Sequence, residues 1–421
     1  MRVLLSTIGS RGDVQPLAAL GMQLKAMGHE AHLCAPPDFR EWIEGLGMSM
    51  TPIGPEVRNA GAAGASPSTP HSPEQMRQMM QAMVSNQFET VTAAAERCDV
   101  IVAATALQIA TRSVAEVMGI RYVFAAYCPN VLPSAHHAPP PLHTLGQAPA
   151  LPSADYADLW RRNAERFQQT FGEALDTQRS MAGLAAVGDV RGHVFTDRPW
   201  LACDPTLGPW PDPEDGAVFQ SGAWILRDER PLSAEIEAFL QGGEPPVYFG
   251  FGSMHAPSEL GAAMIRAARA LGHRAIISRG WADLAVDDAP DCLAIGEANL
   301  QALFPRVAAV LHHGGAGTTA TAAAAGAPQV IVPKLYDQHY WAQRIGELGI
   351  GAMHPAETPT VESLRSALDR ALEPRVAERA RSVAARVRLD GAEVAARRLI
   401  DPARGAAAGR AEGWHEFDRP A

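Results

Sequence analysis

Ala308-Ala309-Val310-Leu311-His312-His313-Gly314-Gly315-Ala316-Gly317-Thr318-Thr319 reads as an apolar strand that breaks at a glycine-rich turn and resumes as an alanine-rich helix. Gly326-Ala327-Pro328 ends that helix, and Gln329 to Pro333 is a second strand. Strand, turn, helix and strand in succession is the grammar of a parallel sheet with helices on its faces. Glycines let a backbone approach a ligand closely, and the free amides and positive dipole end of a first helical turn favour a diphosphate. His313 adds a donor at the entrance, and Thr318 or Thr319 can add a hydroxyl. The plain alternative is that the glycines only permit a tight turn and the histidines are packed side chains. The dinucleotide fingerprint G-x-G-x-x-G is not met and no acid follows at ribose spacing, which argues against a nicotinamide cofactor.

The same grammar extends in both directions. Val247 to Phe251, Arg274 to Ser278 and Cys292 to Ile295 read as further strands of this half. Arg2 to Thr7, Glu30 to Cys34, Met48 to Pro52, Asp99 to Ala104 and Arg121 to Ala125 read as strands of an earlier half. There a helix is expected over Val14 to Met27, and Asp38 can cap another through Gly45. The prolines at 199, 205, 209, 211 and 213 come with little periodicity and mark a connection. Two doubly wound domains follow, 1–205 and 223–390, joined by a linker at 206–222, with a terminal helix at 391–403 and a disordered tail at 404–421. Gly61 to Pro73 reads as a mobile loop.

A chain of 421 residues fits two or three domains of roughly 150 residues. A net charge of −10 offers no global field for nucleic acid or an anionic membrane. The five cysteines are scattered without C-x-x-C spacing, which suggests free thiols in a reducing cytosol. The opening apolar run is too short for a secretory segment, and no stretch approaches the roughly 20 apolar residues of a membrane span. A cytoplasmic location is expected.

Other candidate sites lie after strands, where open α/β sheets bind ligands. Asp337 and Gln338 could bind sugar-like hydroxyls, although Asp337 could equally be the N-cap of a helix over Gln338 to Leu348. In Gly9-Ser10-Arg11-Gly12-Asp13, Ser10 and Arg11 could reach phosphate and Asp13 could be a general base, or Asp13 could merely cap the helix from Val14. Ser253, in Gly250-Phe251-Gly252-Ser253, could touch phosphate or form an ordinary turn. Ser278-Arg279-Gly280-Trp281 and Gly296-Glu297-Ala298-Asn299-Leu300 share the rim and could seat a base and ribose. His136, His137 and His143 raise a metal site, but without a carboxylate or cysteine at ligand spacing a solvated loop explains them better.

Taken together, Gly9 to Asp13, Gly250 to Ser253, Ser278 to Trp281, His312 to Thr319 and Asp337-Gln338 resemble the family 1 nucleotide-sugar glycosyltransferases of the GT-B fold. The likeness is nearest to the enzymes that glycosylate vancomycin- and teicoplanin-type glycopeptide aglycones. It extends through Thr196 to Ala202 and Gln220 to Ile225. The resemblance implies two Rossmann-like doubly wound domains facing a central cleft, the first for acceptor and the second for donor, with a last helix crossing back onto the first. It implies Asp13 as base, His313 and the amides of Gly315, Ala316, Gly317 and Thr318 around the diphosphate, and Asp337 and Gln338 on the sugar; Ser10, Arg11, Gly12 and Ser253 stay further candidates for the diphosphate, and Trp281 and Ala298 for the nucleoside, from their places after strands. It also implies inversion with a UDP- or dTDP-sugar, no metal or other cofactor, and a monomer or weak dimer that makes no stable membrane insertion. The rival readings are a sterol, lipid or macrolide glucosyltransferase and a non-catalytic nucleotide-sugar binding protein, since the Gly9 to Pro16 segment also occurs in lipid glucosyltransferases.

Overall fold

A computed structural model describes residues 1–58, 72–141, 155–254, 259–281, 284, 286–287, 289–355 and 358–401. Most of the loop read at Gly61 to Pro73, together with His143 and the tail at 404–421, lies outside the described residues.

Two parallel sheets form the frame. The first contains β1 (Arg2–Thr7), β2 (Glu30–Ala35), β3 (Ser49–Pro52), β4 (Val100–Ala104), β5 (Arg121–Ala126), β6 (Trp200–Leu201) and β7 (Phe219–Gln220), in the order β3-β2-β1-β4-β5-β6-β7. The second contains β8 (Val247–Gly250), β9 (Ala275–Ser278), β10 (Cys292–Ile295), β11 (Ala309–His312), β12 (Gln329–Ile331) and β13 (Gly351–Met353), ordered β10-β9-β8-β11-β12-β13. Val3, Leu4 and Leu5, like Val310 and Leu311, are fully buried on both faces, as strands covered by helices on either side must be. In each sheet the chain winds outward from the first strand and then returns to that strand's other side. The connections therefore diverge between β1 and β4 and between β8 and β11, opening a crevice at the carboxyl ends of these strands.

Two features hold the lobes together. Leu207 and Trp210 of the connecting segment join Phe124 and Phe195 of the first lobe and Ile331, Trp341 and Ile345 of the second in one apolar cluster. The terminal helix, Gly391–Ile400, buries Ala392, Ala395, Ala396 and Leu399 against Val3, Leu17 and Leu24 of the first lobe. Arg121 of β5 also donates to the Leu399 carbonyl at 3.2 Å.

Several details differ from the sequence expectation. The first helix is Arg11–Ala26, capped by Ser10, and starts three residues before Val14, because Ser10 and Asp13 bond to each other around its first turn. Asp38 does not cap a helix; its carboxylate accepts from the backbone of Val57 and Arg58 at 2.9 and 3.1 Å, and the helix Arg40–Gly45 follows a 3₁₀ turn. The span read as a linker supplies β7, so the first sheet extends further than the proline content suggests.

Where the terminal helix begins, backbone meets backbone: a Cβ at Gly391 would overlap the Gly222 carbonyl. Gly391→Ala should therefore cost about 1–3 kcal/mol by overpacking. Thermal denaturation should show this loss, whereas Gly188→Ala, whose new methyl meets nothing within 4 Å, should leave the midpoint nearly unchanged.

Candidate active site

One side of the crevice is built by the turn after β11. Gly314 adopts φ +93°, and a Cβ there would press to 2.7 Å on Ile331. His312 is fully buried and satisfied: its Nδ1 accepts from the Gly314 amide at 3.1 Å, so Nε2 donates to Gln329 Oε1 at 2.9 Å. Burial pushes its pKa down to about 3, and it is a packed, neutral brace for the turn. His313 lies against the loop after β8. A Cβ at Gly252 would meet its Cε1 at 3.3 Å, and one at Gly315 its Nε2 at 2.7 Å. Burial, and then the charge of Lys334, lower its pKa to about 4, while its enclosed Nδ1 has no partner among the described residues. Gly315 is the N-cap of Ala316–Ala324 and supplies no side chain, which leaves the Ala316, Gly317 and Thr318 amides without intrahelical acceptors. The Thr319 hydroxyl turns back to the Gly315 carbonyl at 3.0 Å, leaving Thr318 as the hydroxyl near these amides.

Across the crevice, Asp13 Oδ2 accepts from the Ser10 amide at 2.6 Å and the Ser10 hydroxyl at 3.2 Å. Only a glycine can precede this bond, because a Cβ at Gly9 would overlap the Asp13 carboxylate. The Tyr127 hydroxyl holds the Asp13 carbonyl at 3.1 Å. Loss of hydration raises Asp13 to a pKa of about 6, and the Ser10 bonds only partly oppose this. Asp337 is also raised to about 6, by loss of hydration first and by the Asp13 charge in addition, against the Trp341 indole N–H that donates to it at 3.0 Å. Carboxylates from the two lobes thus face one crevice.

Residues 3–136 match the glycosyltransferase family 28 N-terminal domain, and residues 282–397 match the erythromycin biosynthesis protein CIII-like C-terminal domain. Glycosyltransferase GtfE of Amycolatopsis orientalis is 50% identical over 399 residues, 94% of this chain and 96% of that one. The vancomycin aglycone glucosyltransferase of the same organism is 47% identical over 404 residues, covering 95% and 97% of the two chains. The chain belongs to this glycosyltransferase family. Its fold is shared with the solved kitacinnamycin glycotransferase, which superposes with a TM-score of 0.69 at 19% identity over 95% of this chain and 98% of that one.

The structure of the glycosyltransferase engages several other sequence candidates differently than expected. Arg11 does not point into the glycine-rich turn; its guanidinium stacks over Trp42 at 3.6 Å and pairs with Glu297 of the other lobe at 3.0 Å. Ser10 is committed to Asp13, while Gly12 is exposed. The Gln338 amide oxygen accepts from the Lys334 and Leu335 backbone at 2.8 and 3.0 Å, so it braces the loop and only Nε2, 3.7 Å from the Met254 sulfur, faces elsewhere. Asp337 occupies the N-cap position of Gln338–Glu347 but forms no cap bond, because Trp341 takes its carboxylate. Trp281 donates its amide to Gly252 at 2.9 Å and packs on the first lobe's apolar cluster, and Ala298 packs on the cluster around Leu232. Ser253 is partly buried in the turn after β8, beside His313. His136 pairs with Asp212 at 3.1 Å, and among the described residues no group of three His, Cys, Asp or Glu could hold a metal ion. No described helix is long and apolar enough to cross a membrane. Sequence reasoning missed Tyr127, Trp341 and Tyr336, the last with φ +51°; a tyrosine in the left-handed region has no sequence signature.

Gly9→Ala should push the Asp13 carboxylate off Ser10. Turnover should fall on the order of 10²-fold, the effect of misplacing one group, while nucleotide affinity by calorimetry stays within a factor of about two.

Proposed function

We propose that this glycosyltransferase moves a sugar from a UDP- or dTDP-sugar onto a phenolic or benzylic hydroxyl of a glycopeptide (heptapeptide) aglycone, with inversion at the anomeric carbon. The observation that carries this is Asp13: fixed by Ser10, poised near pH 6, and facing a second lobe whose glycine-rich turn presents unpartnered amides. The acceptor class is supported by relatives named vancomycin aglycone glucosyltransferase and dTDP-epi-vancosaminyltransferase, the latter 43% identical over 392 residues.

Asp13 takes the proton of the acceptor hydroxyl as its oxygen bonds to the anomeric carbon. The bond from that carbon to the diphosphate breaks on the opposite face, and an α-linked donor gives a β-glycoside. Charge accumulates on the departing diphosphate, where His313, the amides of Gly315 to Thr318 and Ser253 receive it, each well-placed donor contributing on the order of 3 kcal/mol. Asp337, with Gln338 Nε2, takes the sugar hydroxyls, and Trp281 and Ala298 flank the nucleoside. The reaction needs no metal, and the chain acts as a monomer or weak dimer. For Ser10 and Arg11 the structure supports positioning more than phosphate contact: Ser10 orients Asp13, and Arg11 spans the lobes.

A donor panel offered with a glycopeptide aglycone and, in parallel, a sterol and a macrolide, with products read by mass, tests the assignment; transfer to the sterol or macrolide alone would overturn it. Asp13→Asn should lower turnover about 10²- to 10⁴-fold, the range for a lost general base, with nucleotide affinity retained. Unchanged turnover would remove Asp13 from the role.

The base must be ionised, so kcat/KM of the native enzyme should fall about tenfold per pH unit below its pKa near 6 and level off above it. His313→Ala should chiefly weaken nucleotide binding, roughly tenfold or more for a lost hydrogen bond to a charged group; undiminished affinity would count against that contact.

A further inference from the structure

Lys334 ends the strand segment that follows β12, and apart from its effect on His313 its side chain has no role so far. Its backbone amide is pinned by Gln338 Oε1 at 2.8 Å, and Gln338 in turn lies against Gly314, which a Cβ would bring within 3.3 Å of the Gln338 side chain. The ammonium sits 5.7 Å from the centre of the Phe251 ring, just after β8. In the sheet order β8-β11-β12, β11 lies between these two strands. With strands spaced about 4.8 Å apart, a side chain that starts beyond β12 and reaches over Phe251 must cross the carboxyl end of β11. That is where His313 begins the amide-lined turn, and the Lys334 charge depresses the His313 imidazole.

Among the described residues the ammonium is also without a counter-ion. No carboxylate among the described residues pairs with it, and its own pKa is lowered by loss of hydration alone. The carboxylates of the crevice lie elsewhere: Asp337 turns to Trp341 and Asp13 to Ser10. A half-buried cation over the mouth of an amide-lined turn, with no acid beside it, is incomplete without an anion.

We infer that Lys334 binds the diphosphate of the nucleotide-sugar and carries part of the negative charge that appears on it as the glycosidic bond to the donor breaks. This rests on the donor-site reading above and adds a residue to it. The bond to the anomeric carbon breaks with its electron pair going to the diphosphate oxygen, and Lys334 remains protonated throughout, acting as a fixed charge and not as an acid.

Calorimetry of UDP and dTDP binding to the native chain, Lys334→Met and Lys334→Arg, with uridine and thymidine as controls, tests this. Lys334→Met should weaken diphosphate binding roughly ten- to thirtyfold, the size of a lost charge-assisted contact. It should also lower kcat and flatten the salt dependence of binding, while nucleoside binding stays unchanged. Lys334→Arg should recover most of the loss, which also shows that the site still folds. Native-like diphosphate affinity in Lys334→Met would overturn the inference alone. So would a loss confined to a nucleoside diphosphate uronate, because the ammonium would then serve a carboxylate on the sugar. A native chain that binds neither diphosphate would overturn the donor-site reading itself and this inference with it.

Discussion

A helix that begins on a glycine leaves its first amides without partners, and Ala316–Ala324 begins on Gly315 at the carboxyl end of a buried strand. Those amides line one side of the crevice, and the surrounding structure keeps them aimed there. The His312 imidazole accepts the Gly314 N–H and passes the constraint through Gln329, whose own amide donates to Thr319 on the following helix. An apolar side chain at 312 would leave both the Gly314 amide and the Gln329 oxygen buried and unpaired, at about 1–3 kcal/mol each. The adjacent histidines therefore divide their work: one fixes the backbone, and the other lines the crevice with a neutral ring.

The first lobe handles the opposite charge by a similar economy. A carboxylate at the third position of a helix favours the helix N-terminus and bonds back to the capping residue. In this chain that helix start also fixes the proposed base, so folding and orientation use the same 2.6 Å hydrogen bond. Because the carboxyl is poorly hydrated and no cation pairs with it among the described residues, its proton affinity rises. The bland and functional readings of Asp13 are therefore compatible: helix capping supplies the geometry, and desolvation supplies the basicity.

Ten of the thirteen strands among the described residues are legible in the sequence, most of them because strands buried on both faces are continuous apolar runs. β6 and β7, of two residues each, are too short to show any period, and β13 starts on a glycine and is not fully buried, so it forms no apolar run. Glycine punctuation likewise marks the turn after β11 correctly, since φ +93° at Gly314 demands it. What the sequence hides is competition among partners. Arg11 has long reach and could meet phosphate or Glu297; tertiary placement of Trp42 and Glu297 decides for the second in this structure. Gln338 could hydrogen-bond a sugar or its own loop, and two backbone amides three and four residues earlier claim its oxygen. The polar look of Arg11-Gly12-Asp13 conceals a first helical turn, because the cap that starts it is a bond between side chain and backbone and not a hydrophobic pattern.

The contacts between the lobes are unequal. On one side, Leu207, Trp210 and Trp341 share an apolar cluster, and Arg344 donates to the Leu207 carbonyl at 2.9 Å. Burying such aromatic and aliphatic groups contributes about 1.5–3 kcal/mol per side chain. At the rim, Arg11 and Glu297 pair with side chains 28% and 59% exposed, a setting in which an ion pair contributes about 0–1 kcal/mol. Stacking on Trp42 keeps the guanidinium ordered whether or not Glu297 is near. The lobes are thus joined strongly where the chain crosses between them and weakly at the rim, so the rim pair can set the approach of the two faces without locking it.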